Sequence, residues 1–267
     1  MFQNLRKSKK LLLIAMTCAT FAIAGCGSDT TKTTGDNGTS VTWSETFDGT
    51  KTDFAVKSAP THAVSMSQAT TEMMLQLGLE DKMAGTAFKE EEIYPPLQAA
   101  YDKVKVLSDK WPSYEVFMSV KPDFATGWPD SFSKRAIPAD KMISQKVNIW
   151  IPESMLSTKA DLETNFSDMI KLGEIFGVKP KAEEWVAGQR KTLAAIQDKL
   201  KDLPRKRVFI YDSEDGQPFT AFEGYTTNIL KLIGADNVMS GLGVDKTWAK
   251  GSWETVIAQN PDYIIIA

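Results

Sequence analysis

One unit of sequence occurs twice in this chain, and this repetition restricts the possible folds more than any other feature. The segments SYEVFMSVKPDFATG and SWETVIAQNPDYIII begin at Ser113 and Ser252, 139 residues apart. Each contains a serine, an aromatic residue, a glutamate and a mostly apolar run, followed by Pro-Asp and a second aromatic residue. Serine favours a helix start and proline a helix end, so each copy predicts a short helix followed by a strand. We therefore expect two similarly built α/β halves.

Strand and helix patterns alternate around both copies. HAVSMS, KMAGTAF and DFATGW predict strands in the first half, and RVFIYD and YIIIA predict strands in the second. Apolar residues at helical spacing from Leu162 to Leu200, with Pro204 beyond them, predict a mostly helical bridge between the halves. A helix of about twenty residues spans roughly 30 Å, which would make the bridge a stiff strut.

These patterns predict an α/β protein with two Rossmann-like lobes joined by a long helix. Residues 56–158 are expected to form the N-terminal lobe, residues 159–203 the helical bridge and residues 204–267 the C-terminal lobe. The sequence stops at YIIIA with no turn or polar tail, and one more strand–helix–strand unit would need roughly 30 residues. We therefore expect the second lobe to be truncated at its C-terminal end.

Residues 1–25 predict a signal peptide. A basic NLRKSKK precedes a 15-residue apolar stretch, which is short for a transmembrane helix. The stretch ends in IAGC, which resembles the bacterial lipobox, and Cys26 is the one cysteine that cleavage would leave. An ordinary signal peptide that happens to contain a cysteine is the alternative. Residues 26–55 are predicted to be the lipidated Cys26 and a disordered tether, because Gly27–Ser40 has no apolar residue to bury.

Charge and ligand chemistry argue against several classes of function. A net charge of −3 and a pI near 5.4 do not favour nucleic acid as a partner. His62 is the only histidine, so a bare zinc or manganese site lacks ligands and His62 is interpreted as structural. The sequence has no G-x-S-x-G, H-E-x-x-H or P-loop motif, and the acidic KEEEIYPP is interpreted as a solvated face. We expect a protein that is not an enzyme and has no metal or cofactor of its own; a lipid-anchored hydrolase using only carboxylates is the remote alternative.

The predicted anchor, the two lobes, the bridge and the repeated unit together resemble the solute-binding proteins of ABC importers for iron chelates and cobalamin. The resemblance covers about Ala59 to Ala267, and it is carried by AVSMSQATTEMMLQLGLEDKMAGTAF, KRVFIYD, PFTAFEG and SWETVIAQNPDYIII. It implies a class III periplasmic-binding-protein fold, a metal-chelate ligand, and an ABC permease dimer with a cytoplasmic ATPase as partners. The lipobox implies a bacterial protein that is lipid-anchored to the outer face of the cytoplasmic membrane. We expect it to act as a monomer.

The resemblance also assigns roles to individual residues. In that family one exposed glutamate on each lobe docks onto basic residues of the permease, and the matching positions here are Glu115 and Glu254. The aromatic lining of the ligand cleft maps to Trp128 and Trp248. Five further aromatic residues are candidates for ligand contact because they are placed on loops after strands, where α/β folds bind ligands: Phe88, Trp111, Phe219, Phe222 and Tyr225.

Two kinds of chelate remain open as the ligand. Arg135 is the single arginine of the first lobe, whereas strongly anionic catecholate chelates favour arginine clusters. The pattern therefore favours a ferric hydroxamate siderophore or a corrinoid. Haem or another solute bound by the same fold is an alternative, and so is a ligand sensor that takes no part in transport.

Overall fold

A computed structural model of the protein describes residues 40–267. The predicted signal peptide, Cys26 and the first part of the predicted tether lie outside the described residues. Within the described range, no helix has both the length and the apolar character that crossing a membrane requires.

The described part of the chain begins with a β-hairpin. Strands β1 (Val41–Phe47) and β2 (Thr50–Val56) pair antiparallel along their whole length. Asp48 and Gly49 form the turn with φ values of 48° and 79°, the left-handed region that tight hairpin turns need. The prediction of a disordered tether up to residue 55 is therefore wrong from residue 41 onward.

Long-range contacts of the first strand explain why this segment is folded. The ring of Trp43 stacks on Phe54 with 5.6 Å between ring centroids, and its indole N–H donates to the carbonyl of Ile149 at 2.7 Å. The buried Glu45 accepts the backbone N–H of Ile151 at 2.9 Å. The partners Trp43 and Ile149 are 106 residues apart in the chain, so the polar run that precedes the hairpin gave no indication of this packing.

The first lobe is built on a parallel sheet of five strands. In chain order its elements are β3 (Ala63–Ser65), α1 (Gln68–Gln76), β4 (Met83–Ala87), α2 (Gln98–Tyr101), β5 (Val106–Ser108), α3 (Tyr114–Ser119), β6 (Phe124–Thr126), α4 (Ala139–Ser144) and β7 (Asn148–Trp150). The sheet order is β5-β4-β3-β6-β7. The central strands β3 and β6 are completely buried, as in parallel sheets that are covered on both faces.

Two helices follow the first lobe: α5 (Leu162–Ile175) and α6 (Lys179–Leu200). They pack closely at Gly173, where a Cβ atom would come within 2.7 Å of the Ala182 Cβ. Ala182 and Val186 are the buried residues of α6, and both belong to the apolar core of the first lobe. The predicted bridge therefore contains a helical pair, and the first half of α6 is part of the first lobe's core.

The second lobe contains a parallel sheet and a small antiparallel sheet. In chain order its elements are β8 (Lys206–Tyr211), β9 (Ser213–Glu214), β10 (Pro218–Ala221), α7 (Tyr225–Leu232), β11 (Ala235–Asn237), β12 (Trp248–Lys250), α8 (Trp253–Gln259) and β13 (Tyr263–Ile266). The parallel sheet has the order β11-β8-β13, and the antiparallel sheet has the order β12-β10-β9. The parallel sheet repeats the order β4-β3-β6 that is found in the first lobe.

The Pro-Asp of each repeated unit ties two neighbouring strands together. Asp123 accepts the backbone N–H groups of Thr61 at 2.8 Å and His62 at 3.0 Å, just before β3. Asp262 accepts the backbone N–H of Arg207 at 2.8 Å, at the start of β8. Each aspartate thus satisfies N–H groups at the beginning of the strand that pairs with its own. This contact gives a structural reason for the repeat in both lobes.

Candidate ligand-binding cleft

A cavity of about 290 Å³ lies between the two lobes and the beginning of the helical pair. It is lined by Ala69, Met73, Trp128, Ser154, Met155, Asn165, Glu223, Tyr225, Thr226, Thr247 and Trp248. Both lobes therefore contribute walls to the same cavity. Of the seven aromatic residues that the sequence suggested for ligand contact, the structure brings three to this lining, namely Trp128, Tyr225 and Trp248.

Trp128 lies at the carboxyl end of β6, where the chain turns sharply. A Cβ atom on the preceding Gly127 would come within 2.8 Å of the Ser131 hydroxyl oxygen, so the tight turn requires glycine. The Trp128 indole N–H donates to the carboxylate of Glu90 at 3.4 Å. The ring is thereby held on the first lobe's side of the cavity.

Trp248 and Tyr225 form the aromatic side of the second lobe. Trp248 pairs with Ala221 across the antiparallel sheet, and its ring stacks on Phe219 with 6.1 Å between centroids and 20° between the ring planes. Phe219 thus supports the cavity wall from behind and is not part of the lining. Tyr225 is the first residue of α7, and burial raises the pKa of its hydroxyl, with Asp168 adding to the effect.

A short turn at Glu153–Met155 provides the floor of the cavity. The buried Asp168 of α5 accepts the backbone N–H groups of Glu153 and Ser154, both at 2.9 Å. Burial raises the pKa of Asp168, and the hydrogen bonds from this turn oppose that rise. The bonds fix the turn so that Ser154 and Met155 face the cavity.

Besides Phe219, three other candidate residues lie away from the lining. Phe88 and Trp111 stack on each other with 4.6 Å between centroids, and the Trp111 indole N–H donates to the carbonyl of Met66 at 3.1 Å. Phe222 is buried in the apolar core of the second lobe. We therefore no longer expect Phe222 to contact a ligand, because the loop after β10 turns its ring inward.

Eight lining residues were not anticipated: Ala69, Met73, Ser154, Met155, Asn165, Glu223, Thr226 and Thr247. Met73 packs against the first lobe's core and also lines the cavity, whereas its neighbour Met74 is fully buried, and nothing in the sequence distinguished the two. For the polar residues, which come from separate loops and helices, the sequence carries no signal either.

Negative charge predominates at the cavity. Among the lining residues, all within the described part of the chain, Glu223 is the only charged one, and its carboxylate accepts the Gly241 N–H at 2.8 Å. Partial burial raises the pKa of Glu90 beside Trp128; Asp212 and Glu91 add to this rise, while the bond from Trp128 opposes it. Within residues 40–267, no group of three or more His, Cys, Asp or Glu residues is gathered to hold a metal ion.

A wider cavity of about 600 Å³ adjoins the first and shares Ala69, Met73 and Asn165 with it. Its other lining residues lie between α1, the following loop and the helical pair: Glu72, Gln76, Tyr94, Pro96, Leu97, Met169, Trp185 and Gln189. The two cavities together give the cleft room for a ligand larger than the smaller cavity alone would hold.

The two glutamates of the repeated unit are exposed and lie in the first turns of α3 and α8. Ser113 and Ser252 accept the backbone N–H groups of Val116 at 3.3 Å and Thr255 at 3.1 Å, so both helices have serine N-caps. The pKa of Glu115 is lowered, first by its own backbone N–H and then by the Ser113 hydroxyl. The repeat thus presents one solvent-facing carboxylate, Glu115 or Glu254, on each lobe.

Known proteins are similar to this chain in sequence or in fold. A family model described as "Periplasmic binding protein" matches residues 64–267. A crystal structure of a periplasmic binding protein from Veillonella parvula dsm 2008 has a TM-score of 0.84 and 99% sequence identity, covering 86% of this chain and 78% of that chain. The uncharacterized ABC transporter substrate-binding lipoprotein YvrC of Bacillus subtilis (strain 168) is 26% identical over 97% of this chain and 81% of its own length. The vitamin B12-binding protein of Yersinia pestis (strain Pestoides F) is 23% identical over 78% of this chain and 70% of its own length.

The family match includes every residue that lines the cavity between the lobes. It also includes both copies of the repeated unit. The chain therefore belongs to the periplasmic binding protein family, and its two-lobed α/β fold is that of the extracytoplasmic substrate-binding proteins of ABC transporters.

Proposed function

We propose that the protein captures a bulky metal chelate, either a corrinoid or a ferric hydroxamate siderophore, in the cleft between its lobes. The observation that carries this proposal is the pair of tryptophans, because Trp128 of the first lobe and Trp248 of the second line one cavity. Aromatic walls suit a large ligand whose metal is already coordinated by its own donor atoms. Similarity to a vitamin B12-binding protein supports a corrinoid, and the scarcity of arginine argues against anionic catecholates.

Tryptophan fluorescence tests the ligand. Cyanocobalamin, ferrioxamine B and haemin would be titrated separately into the purified protein, and we expect one of the first two to quench most strongly. Trp128→Ala and Trp248→Ala should each weaken binding about tenfold or more, as expected for aromatic residues central to a binding site. Trp111→Ala, checked for folding by circular dichroism, is the matched control because Trp111 lies outside the lining. Quenching by haemin alone would replace the proposed ligand with haem.

We further propose that Glu115 and Glu254 dock the loaded protein onto its permease. Exposed carboxylates on a partner-facing surface determine orientation and association rate more than affinity for a small ligand. The double variant Glu115→Ala, Glu254→Ala should therefore keep chelate affinity within about twofold and abolish cellular uptake. Glu184→Ala combined with Asp202→Ala, two exposed acids outside the repeated unit, should leave uptake intact. A parallel loss of affinity and uptake would place these glutamates in the pocket, and normal uptake would rule out docking.

We also propose that Cys26 carries the lipid that anchors the protein to the outer face of the cytoplasmic membrane. The supporting observations are the IAGC sequence and the similarity to a relative named as a lipoprotein. Cys26→Ala should move the protein from the membrane fraction to the soluble fraction. Cys18→Ala, which changes the cysteine inside the predicted signal peptide, should leave it in the membrane fraction; identical behaviour of the two variants would argue against lipidation.

A further inference from the structure

The acidic segment Lys89–Glu92, interpreted from sequence as a solvated face, is held against the first lobe through its backbone. Gln68 at the start of α1 accepts the backbone N–H groups of Glu90 at 2.9 Å and Glu91 at 2.7 Å. The same side chain donates to the carbonyl of Glu92 at 3.2 Å. Three hydrogen bonds from one amide side chain fix the path of the segment, so its carboxylates extend from an ordered backbone.

Glu72, one turn further along α1, completes this anchor. Its carboxylate accepts a hydrogen bond from the Gln68 amide at 2.9 Å and one from the backbone N–H of Tyr94 at 3.1 Å. The same helix supplies Ala69 and Met73 to the wall of the cavity between the lobes. The acidic segment and that wall are therefore attached to a single rigid element.

Glu90 is the residue of this segment that approaches the cleft. Its carboxylate accepts the indole N–H of Trp128, a lining residue, at 3.4 Å. Asp212, which follows β8 in the second lobe, is near enough to contribute to the raised pKa of Glu90. Glu223 is part of the lining itself. Carboxylates thus approach the cleft from both lobes.

The lining of the cavity, within residues 40–267, has no basic side chain beside Glu223. Among the lining residues, which all belong to the described range, there is neither lysine nor arginine. Lys246 precedes the lining residue Thr247 in the chain, but it is exposed to solvent and is not part of the lining. A ligand that enters between the aromatic walls therefore meets hydrogen-bond acceptors and negative charge.

We propose that Glu90 is a specificity-determining residue of the cleft, which selects neutral or cationic metal chelates that carry N–H donors and rejects chelates with free carboxylates. This inference rests on the proposed capture of a chelate between Trp128 and Trp248. A carboxylate fixed beside an aromatic wall can accept a charge-assisted hydrogen bond from an amide or ammonium group of the ligand. It repels a ligand anion at the same place, and such repulsion discriminates against the wrong ligand.

The test compares three probes of different charge. Cyanocobalamin presents neutral amides, ferrioxamine B is a cation, and haemin carries free carboxylates. Their affinities would be measured by fluorescence titration for the parent protein, Glu90→Gln and Glu91→Gln, at low and at high ionic strength. We expect Glu90→Gln to weaken the binding of cyanocobalamin or ferrioxamine B, whichever of them binds the parent protein, and the loss should be about threefold to tenfold. The same substitution should strengthen haemin binding by a similar factor.

Three comparisons separate a direct effect of the Glu90 charge from a general electrostatic effect. The effect of Glu90→Gln should shrink at high ionic strength, because salt screens partly exposed charges. Glu91→Gln removes the same charge from the same segment and should leave the ranking of the probes unchanged. Gln68→Leu, which releases the backbone of the segment, should shift the ranking in the same direction as Glu90→Gln.

The outcomes distinguish this inference from the proposed function. Equal effects of Glu90→Gln and Glu91→Gln on all three probes would overturn the inference and leave chelate capture in the cleft intact. Tightest binding of haemin by the parent protein would overturn the inference and also replace the proposed ligand with haem. Absence of binding by all three probes would overturn the proposed function, and the inference would fail with it.

Discussion

Strands β6 and β13 occupy the same place in their sheets, beside β3 and β8 respectively, and each follows a copy of the repeated unit. All three residues of β6 are buried, whereas all four residues of β13 are exposed, Ile266 to 78%. Yet the β13 sequence, YIII, is more apolar than the β6 sequence, FAT. Within the described residues β6 pairs with both β3 and β7, and β13 pairs with β8 alone. Within residues 40–267, the burial of these two strands thus follows the number of neighbouring strands and not their apolar composition.

The local features of the two repeats are nevertheless alike. Both helices have serine caps, and both strands are tied to a neighbour by the aspartate of the Pro-Asp pair. Short-range hydrogen bonds are set by nearby residues, so they recur in both lobes. Packing against other layers depends on distant segments, as the pairing of β6 with β7 shows in the first lobe.

The largest expected effect tests burial directly. Phe124→Ala in β6 removes a ring that is 0% exposed and should lower the free energy of unfolding of the first lobe by about 3–5 kcal/mol. Ile264→Ala, one position after the corresponding aromatic in β13, removes a side chain that is 59% exposed and should cost less than about 1 kcal/mol. Hydrogen exchange of the amides in β3 and β8 would report each lobe separately. Equal losses would show that β13 is covered in the protein in solution.

The second prediction concerns a buried acid of the first lobe. Burial is the main cause that raises the pKa of Glu45 from 4.5 to about 7; the Ile151 N–H opposes this rise, and Glu153 and Asp168 add to it. Because the folded pKa lies above the unfolded one, the folded state favours the protonated acid. The stability that Glu45 contributes is therefore fully present below pH 4.5, and it is lost as the pH rises through about 7.

A shift of this size corresponds to a loss on the order of 3 kcal/mol. Glu45→Gln keeps an acceptor for the Ile151 N–H and removes the charge. We expect the variant to exceed the parent in stability at pH 8 and to lose this advantage near pH 4.5, as measured by urea unfolding across that range. Glu254→Gln, which changes an exposed acid of the second lobe, is the control. An unchanged difference between Glu45→Gln and the parent at all pH values would contradict the assignment.

The smallest expected effect compares the two aspartates. Asp123 accepts three hydrogen bonds, from the backbone N–H groups of Thr61 and His62 and from the Thr61 hydroxyl, whereas Asp262 accepts one from the backbone N–H of Arg207. Asp123→Ala should therefore destabilise its lobe by about 2 kcal/mol and Asp262→Ala by about 1 kcal/mol. Hydrogen exchange at the first amides of β3 and β8 would measure both, and the reverse order would contradict the difference in hydrogen bonding.

The sequence predicted those parts of the fold that depend on neighbouring residues. The caps at Ser113 and Ser252, the strands after Pro122 and Pro261, and the helices between the lobes all have local signals. DFATGW likewise predicted the strand that ends just before Trp128, whereas no local signal marked the strand that begins at Trp248. Family resemblance then suggested which aromatic residues to consider.

Contacts between distant segments were not predictable in the same way. The hairpin at the start of the described chain is stabilised by Trp43 through a carbonyl 106 residues away, a contact that no local pattern could indicate. Phe222 stands close to Phe219 in the chain, yet one ring is in the core and the other supports Trp248. Glu90 stood in a run of charges that usually indicates a solvated surface, and only the hydrogen bond that it accepts from Trp128, a residue 38 positions away, distinguishes it.

The burial pattern of α6 has a mechanical consequence. Its first half is packed into the first lobe through Ala182 and Val186, and from Gly188 onward the helix is largely exposed to solvent. Rotation of the second lobe against the first would therefore bend α6 in this exposed half, because the buried half is held by Ala182 and Val186.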